Sequence, residues 1–261
     1  MDNMFKTIEL SPSSGYYQKS YLYLLLNCFP LVDKKTQIAM RDNLLERFTL
    51  ANGEEPYGAL INQARAYSLF GFYLDKAYYL EADKIFNDLI LTYPYLTTAY
   101  EDLGKQKIMQ EDYRAAIEVF KRAIEILPWL DHPDLNRPHR QKIEAVALYL
   151  YQGLGQAYFK IKNYDLALDY YKKALQLDPY RASLYKNMAD IYYVQSMLDQ
   201  AIVLNKRGLM LNPTDYNWPL SLSLLYRDKK ELSYAKAYLD QAIKLAPENL
   251  ELKKYYEELN K

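Results

Sequence analysis

Both histidines of the chain, His132 and His139, fall in one short stretch beside Asp131 and Asp134. Imidazole and carboxylate side chains together are a ligand set for zinc or iron. Their spacing here matches no metal signature, and a polar loop whose carboxylates cap a following helix accounts for the same residues. Gly153-Leu154-Gly155 could suggest a phosphate-cradling loop, but it lies inside a helical pattern with no strand before it, so close helix packing explains it. Gly104-Lys105 lacks the upstream glycine and the following Ser or Thr of a nucleotide loop. Cys28 is the only cysteine, lies in the apolar run 21–29, and reads as a buried small hydrophobe. No nucleophile stands near a base in any recognisable pattern. The expectation is a chain that is not an enzyme, with no cofactor and no bound metal.

What positions these residues is a repeat. Five prolines, Pro94, Pro128, Pro179, Pro213 and Pro247, are spaced by 34, 51, 34 and 34 residues. Twelve residues before each stands an alanine: Ala82, Ala116, Ala167, Ala201 and Ala235. A period of 34 belongs to helix–turn–helix arrays. In the clearest unit, Tyr151, Leu154, Gly155 and Tyr158 share one face of a first helix, and Tyr164, Ala167, Tyr171 and Ala174 share one face of a second. Gly155 and Ala167 are small where two helices approach. Asn163 makes the turn between the helices, and Pro179 ends the second one.

These residues resemble the tetratricopeptide repeat family, whose pattern is an aromatic, Leu-Gly, an aromatic, Ala, an aromatic, Ala and Pro. Tyr151, Leu154-Gly155, Tyr158, Ala167, Tyr171, Ala174 and Pro179 match it throughout. The other units depart in places. Lys107 stands where an aromatic is expected. Asn205 and Gly208 replace the second-helix aromatic and alanine, which predicts looser packing. Pro219 takes an aromatic position that Trp218 could fill, Ser223 takes the small position, and the small residue of the first unit has slipped from Phe70 to Gly71. The resemblance covers about residues 63–247. It implies an all-α fold, a right-handed superhelical solenoid of antiparallel helix pairs. The expected organisation is divergent repeat-like helices over 1–62, two repeat units over 63–128, an insertion with a helix extension over 129–147, three units over 148–247, and a capping helix over 248–261. Within the first part, helices are expected at 16–29, 35–50 and 58–74, with a loop at 51–56.

Composition bounds the partners. Lys plus Arg and Asp plus Glu number 33 each, so the net charge is zero and no basic excess is available for a phosphate backbone. Nucleic acid is therefore not the expected ligand. The apolar run 21–29 is too short to cross a bilayer, and the first residues lack the features of a signal peptide. Tyrosine is the compositional outlier at 29, much of it at repeat positions where a ring packs and its hydroxyl reaches the rim.

In arrays of this kind the first helices line the concave groove. The positions off their packing stripe are Thr98, Glu101, Lys105 and Met109; Tyr149, Gln152, Gln156 and Phe159; Ser183, Lys186, Asp190 and Tyr193; and Asn217, Leu220 and Leu224. This mixed lining suits a protein or peptide ligand held by hydrogen bonds and a few apolar pockets. The family's clamp for chaperone tails needs a Lys followed one turn on by an Asn. Lys186 is followed by Asp190, and Glu101 by Lys105, so that clamp is not met. The 129–147 insertion offers a second contact or a surface for self-association.

Residues 4–12 align with 171–179, so the chain begins as if inside the second helix of a repeat. That start, the tyrosine-rich degenerate repeats and the insertion resemble the soluble tails of some bacterial O-antigen ligase or polymerase-like membrane proteins. This second resemblance implies a segment on the soluble side of a membrane-associated parent. The first reading, taken alone, implies a cytoplasmic protein.

Overall fold

The structure, a computed structural model, describes residues 29–50, 57–127 and 137–259. Cys28, the loop at 51–56, most of the helix expected at 16–29, and His132 with its two aspartates lie outside the described residues. Twelve α-helices and no strand are described. The chain divides into two compact units, Met1–Pro128 and Trp129–Lys261.

In the first unit a 3-10 turn, Phe29–Leu31, leads into α1 (Lys34–Leu50). Two helix pairs follow: α2 (Gly58–Tyr73) with α3 (Tyr78–Thr92), and α4 (Thr97–Met109) with α5 (Tyr113–Glu125). In the second unit three pairs run in sequence. They are α6 (Arg137–Lys160) with α7 (Tyr164–Leu177), α8 (Ala182–Val194) with α9 (Leu198–Leu211), and α10 (Asn217–Asp228) with α11 (Leu232–Leu245). The last helix, α12 (Leu250–Leu259), packs on α11. Helix α6 has 24 residues where α4 and α8 have 13.

Two of the pairs, α4 with α5 and α6 with α7, close on an aromatic ring set against glycine in the pattern's register. A Cβ on Gly104 would lie 2.3 Å from the Phe120 ring, and one on Gly155 would lie 2.5 Å from the Tyr171 ring. Both rings are fully buried. A glycine inside a helix costs about 1 kcal/mol. Burying one large ring returns roughly 1.5–3 kcal/mol, so the close approach wins. The turn between the helices of a pair uses a left-handed residue at four equivalent places: Glu111, Lys162, Ser196 and Lys230, with φ between 61° and 63°. The next N–H then reaches back to the first helix, as Asn163 N–H does to Tyr158 O at 2.9 Å and Glu231 N–H to Tyr226 O at 2.9 Å. Lys162, rather than Asn163, therefore turns the chain. Asn163 caps α7, its Oδ1 accepting the Leu166 N–H at 3.3 Å.

The tyrosines tie pair to pair. Tyr100 donates its hydroxyl to the carbonyl of Pro94 at 3.1 Å, and Tyr185 donates to that of Pro179 at 2.9 Å. The terminal proline of one pair thus becomes the anchor of the next. Stacked tyrosines recur two periods apart, Tyr158 on Tyr170 at 5.5 Å and Tyr226 on Tyr238 at 5.5 Å.

Most departures from the repeat pattern have a local answer. Lys107, in an aromatic's place, is paired with Asp83 of α3 at 2.7 Å. Ser223, in a glycine's place, donates its buried hydroxyl to Ala235 O at 2.7 Å. A Cβ on Gly71 would lie 2.6 Å from the ring of Tyr79, not of Phe86, the ring in register with Phe120 and Tyr171. Asn205 is buried and bonds Ala201 O at 2.9 Å. The buried ring of Trp218 lies over Gly208, where a Cβ would meet it at 2.1 Å. At Gly208 the expected looseness is thus countered by an indole supplied from α10, whereas Asn205 keeps a buried Oδ1 without a hydrogen-bond partner among the described residues.

Candidate functional site

The first helices are neighbours within each unit: α2 beside α4, and α6 beside α8. Their core-facing residues include Leu69 and Phe70 on α2, Leu103 and Gly104 on α4, Leu154 and Gly155 on α6, and Leu184 and Met188 on α8. The candidate binding residues are off that stripe.

In the second unit, Gln156, Ser183, Lys186, Tyr193 and Asn217 are exposed, whereas Tyr149, Gln152, Phe159, Asp190, Leu220 and Leu224 are half-buried. Lys186 and Asp190 pair with each other at 3.5 Å, each about half exposed. Such an exposed pair contributes only a few tenths of a kcal/mol, so a ligand can break it cheaply. Asp190 and burial together push the phenol of Tyr171 up, burial being the larger cause. Tyr193 donates its hydroxyl to Asp228 at 2.9 Å, which ties α8 to α10. Phe159 packs on Tyr164, their centroids 6.0 Å apart. Gln152 places its Oε1 in the interior without a hydrogen-bond partner among the described residues. Leu220 packs on the Leu239, Ala242 and Leu252 cluster that α12 covers, so most of its surface serves the core.

In the first unit, Thr98, Glu101, Lys105 and Met109 are all half-buried. They adjoin a network that the repeat pattern did not single out. Arg65 Nε donates to Asp102 at 2.6 Å, and Lys105 Nζ donates to the other oxygen of Asp102 at 3.2 Å. Beneath them Gln106 accepts from Ser68 at 2.7 Å and donates to Tyr79 O at 3.1 Å and Asp83 at 2.7 Å. This lattice borders a cavity of about 250 Å³. Its polar wall is Arg65, Ser68, Asp102, Lys105 and Gln106, and its apolar wall is Leu69, Phe86 and Met109. Of the expected positions only Lys105 and Met109 line it. Arg65 and Ser68 lie on α2, whose register slips by one residue at Gly71, so periodicity does not place them.

Burial pushes the Glu101 carboxyl up to about 7; Lys105 and Arg65 act to lower it and Asp102 to raise it. The folded chain therefore holds this proton more tightly than the unfolded chain, and stability is lost as pH rises from about 4.5 through about 7. At full strength the displacement corresponds to roughly 3 kcal/mol. Water screens the half-buried group, so about 1 kcal/mol is expected. Glu101→Gln should flatten this pH dependence, and urea midpoints followed by circular dichroism at pH 5 and pH 8 measure it. Equal slopes for the two proteins would contradict the burial of Glu101.

Among the described residues no three His, Cys, Asp or Glu side chains are grouped to hold a metal, and no helix is long and apolar enough to cross a membrane.

Models of the tetratricopeptide repeat match residues 149–180 and 220–249. No curated protein matches the chain. Among solved structures it is similar to the C-terminal part of a TPR repeat-containing protein from Cytophaga hutchinsonii, with 18% identity and a TM-score of 0.59 over 75% of this chain and 70% of that one. It is similar to pilF of Pseudomonas aeruginosa, with 17% identity and a TM-score of 0.54 over 92% of this chain and 97% of that one. It is also similar to YrrB, described as a TPR protein with an unusual peptide-binding site, with 19% identity and a TM-score of 0.52 over 80% of this chain and 97% of that one. At these identities the likeness is one of fold.

Proposed function

We propose that this chain, which carries tetratricopeptide repeats, is a non-enzymatic scaffold that binds a protein or peptide segment across the faces of its first helices. The observation that carries the reading is the lining of α6, α8 and α10. Core packing uses one stripe of each helix, and what remains combines Gln156, Lys186, Asp190 and Tyr193 with the half-buried Phe159 and Leu224. The charges there cancel, so recognition rests on hydrogen bonds and apolar contact, as suits an extended or helical segment. YrrB, a repeat protein of similar fold with a peptide-binding site, supports a ligand of that class. The face bordering Glu101 and Lys105 is the corresponding surface of the first unit.

A displayed random-peptide library selected on the whole chain tests this. The enriched peptides should bind the unmodified protein and lose at least tenfold in affinity when Gln152, Gln156, Lys186 and Asp190 are replaced together by alanine, with helicity unchanged. Selection of peptides that bind the fourfold variant equally well would remove the second unit's face from the proposal.

A further inference from the structure

The first unit's cavity is charged on one side, apolar on the other, and held open by side chains that already satisfy one another. Asp102 has a cation on each oxygen, and Gln106 spends its acceptor on Ser68 and both donors on α3. Arg65 is different. It bonds Asp102 through Nε alone, its side chain is 34% exposed, and its two Nη groups have no partner among the described residues. Guanidinium is planar and presents two N–H groups side by side, a shape that matches a carboxylate.

Size and wall chemistry narrow the occupant. A cavity of about 250 Å³ lies below the roughly 300–1,000 Å³ that holds a whole small-molecule ligand, so it suits one side chain. Met109 and the edge of Leu69, backed by the fully buried Phe86, form a wall that methylene groups can cover, whereas peptide N–H and C=O groups pressed against it would lose their water without gaining partners. A carboxylate on a short apolar stem can therefore enter while its backbone stays on the helix face. A chain terminus would have to bring its own amide in with it.

We propose that this cavity is a specificity pocket for an internal glutamate or aspartate side chain of a bound peptide, the carboxylate docking on the Nη edge of Arg65 and the stem on Met109 and the rim of Leu69. This deepens the scaffold reading and rests on it. The charged groups acting on Glu101 are Lys105, Asp102 and Arg65. Glu101 carries little charge below neutrality, leaving two cations against one paired carboxylate. Above neutrality its charge opposes the ligand's. Affinity for the acidic side chain should therefore fall as pH rises through about 7.

The test is nuclear magnetic resonance titration of the full chain with two blocked pentapeptides, acetyl-Ala-Ala-Glu-Ala-Ala-amide and the same peptide with Gln for Glu. The Glu peptide should shift the Arg65 Nε–H resonance and bind about tenfold more tightly than the Gln peptide at pH 6. Arg65→Gln should abolish the preference. Arg65→Lys, which keeps a cation beside Asp102 but removes the fork, should weaken it at least threefold. Glu101→Gln should keep the preference and lose its pH dependence. Equal binding of the two peptides, or an undiminished preference in a folded Arg65→Lys protein, overturns the pocket. Tighter binding of acetyl-Ala-Ala-Ala with a free carboxyl end overturns the assignment to an internal side chain, and equal binding of propionate overturns the assignment to a peptide. Library-selected peptides that still bind the Arg65 variants would leave the scaffold reading standing while the pocket fails.

Discussion

Gly155→Leu should cost the second unit about 3 kcal/mol, at the upper end for overpacking a closed core. The Cβ alone would stand 2.5 Å from one carbon of the Tyr171 ring and 2.6 Å from another, and that ring is fully buried with no room to retreat. Leucine is the better helix former by up to about 1 kcal/mol, but this gain is smaller than the steric cost. The thermal midpoint should fall by on the order of 10 °C. Gly155→Ala should fall by a smaller amount in the same direction. A Gly155→Leu protein that melts with the unmodified chain would show that α6 and α7 do not close on this glycine.

Trp218→Ala should be comparably severe, with an expected loss of about 3–5 kcal/mol for emptying a buried aromatic site. The structure makes a sharper claim about its partner. The indole occupies the space that a side chain on Gly208 would need, so Gly208→Ala alone should destabilise by about 1–3 kcal/mol. Once the indole is gone, that alanine loses its three closest clashes and improves the helix by about 1 kcal/mol. The double variant should therefore be more stable than Trp218→Ala by itself. Strictly additive losses in a double-mutant cycle from urea unfolding would contradict the indole-over-glycine contact.

The repeat was legible because sterics leave few choices at its contacts. Only small residues fit where helices touch, glycine, alanine or a serine whose hydroxyl finds a partner, and a proline after the second helix cannot continue it. That is why Gly104, Gly155, Ala167 and Pro179 announce the fold, and why Gly155 rather than a phosphate explains the Gly-Leu-Gly stretch. Turn residues were not legible: Glu111, Lys162, Ser196 and Lys230 share a left-handed backbone but no chemistry. The departures were visible without their remedies. Lys107 is paired with an aspartate 24 residues earlier, and Gly208 lies under an indole from the next pair.

The candidate site was legible only as a face. Helical spacing puts Glu101, Lys105, Gln156, Lys186 and Asp190 off the packing stripe, and the structure leaves these side chains at least partly open to solvent. It did not show that Leu220 is shared with the core, nor that Arg65 reaches Asp102 across 37 residues. That reach depends on how α2 sits against α4, and the one-residue slip at Gly71 hides it from any count of repeat positions.

Amide hydrogen exchange of the whole chain, with and without a library-selected peptide at saturation, addresses the central claim most directly. Protection should rise on the first helices, α6, α8 and α10 or α2 and α4, while α7, α9 and α11 exchange as before. Protection confined to the second helices, or spread evenly over both members of each pair, would contradict a binding surface built from the first helices.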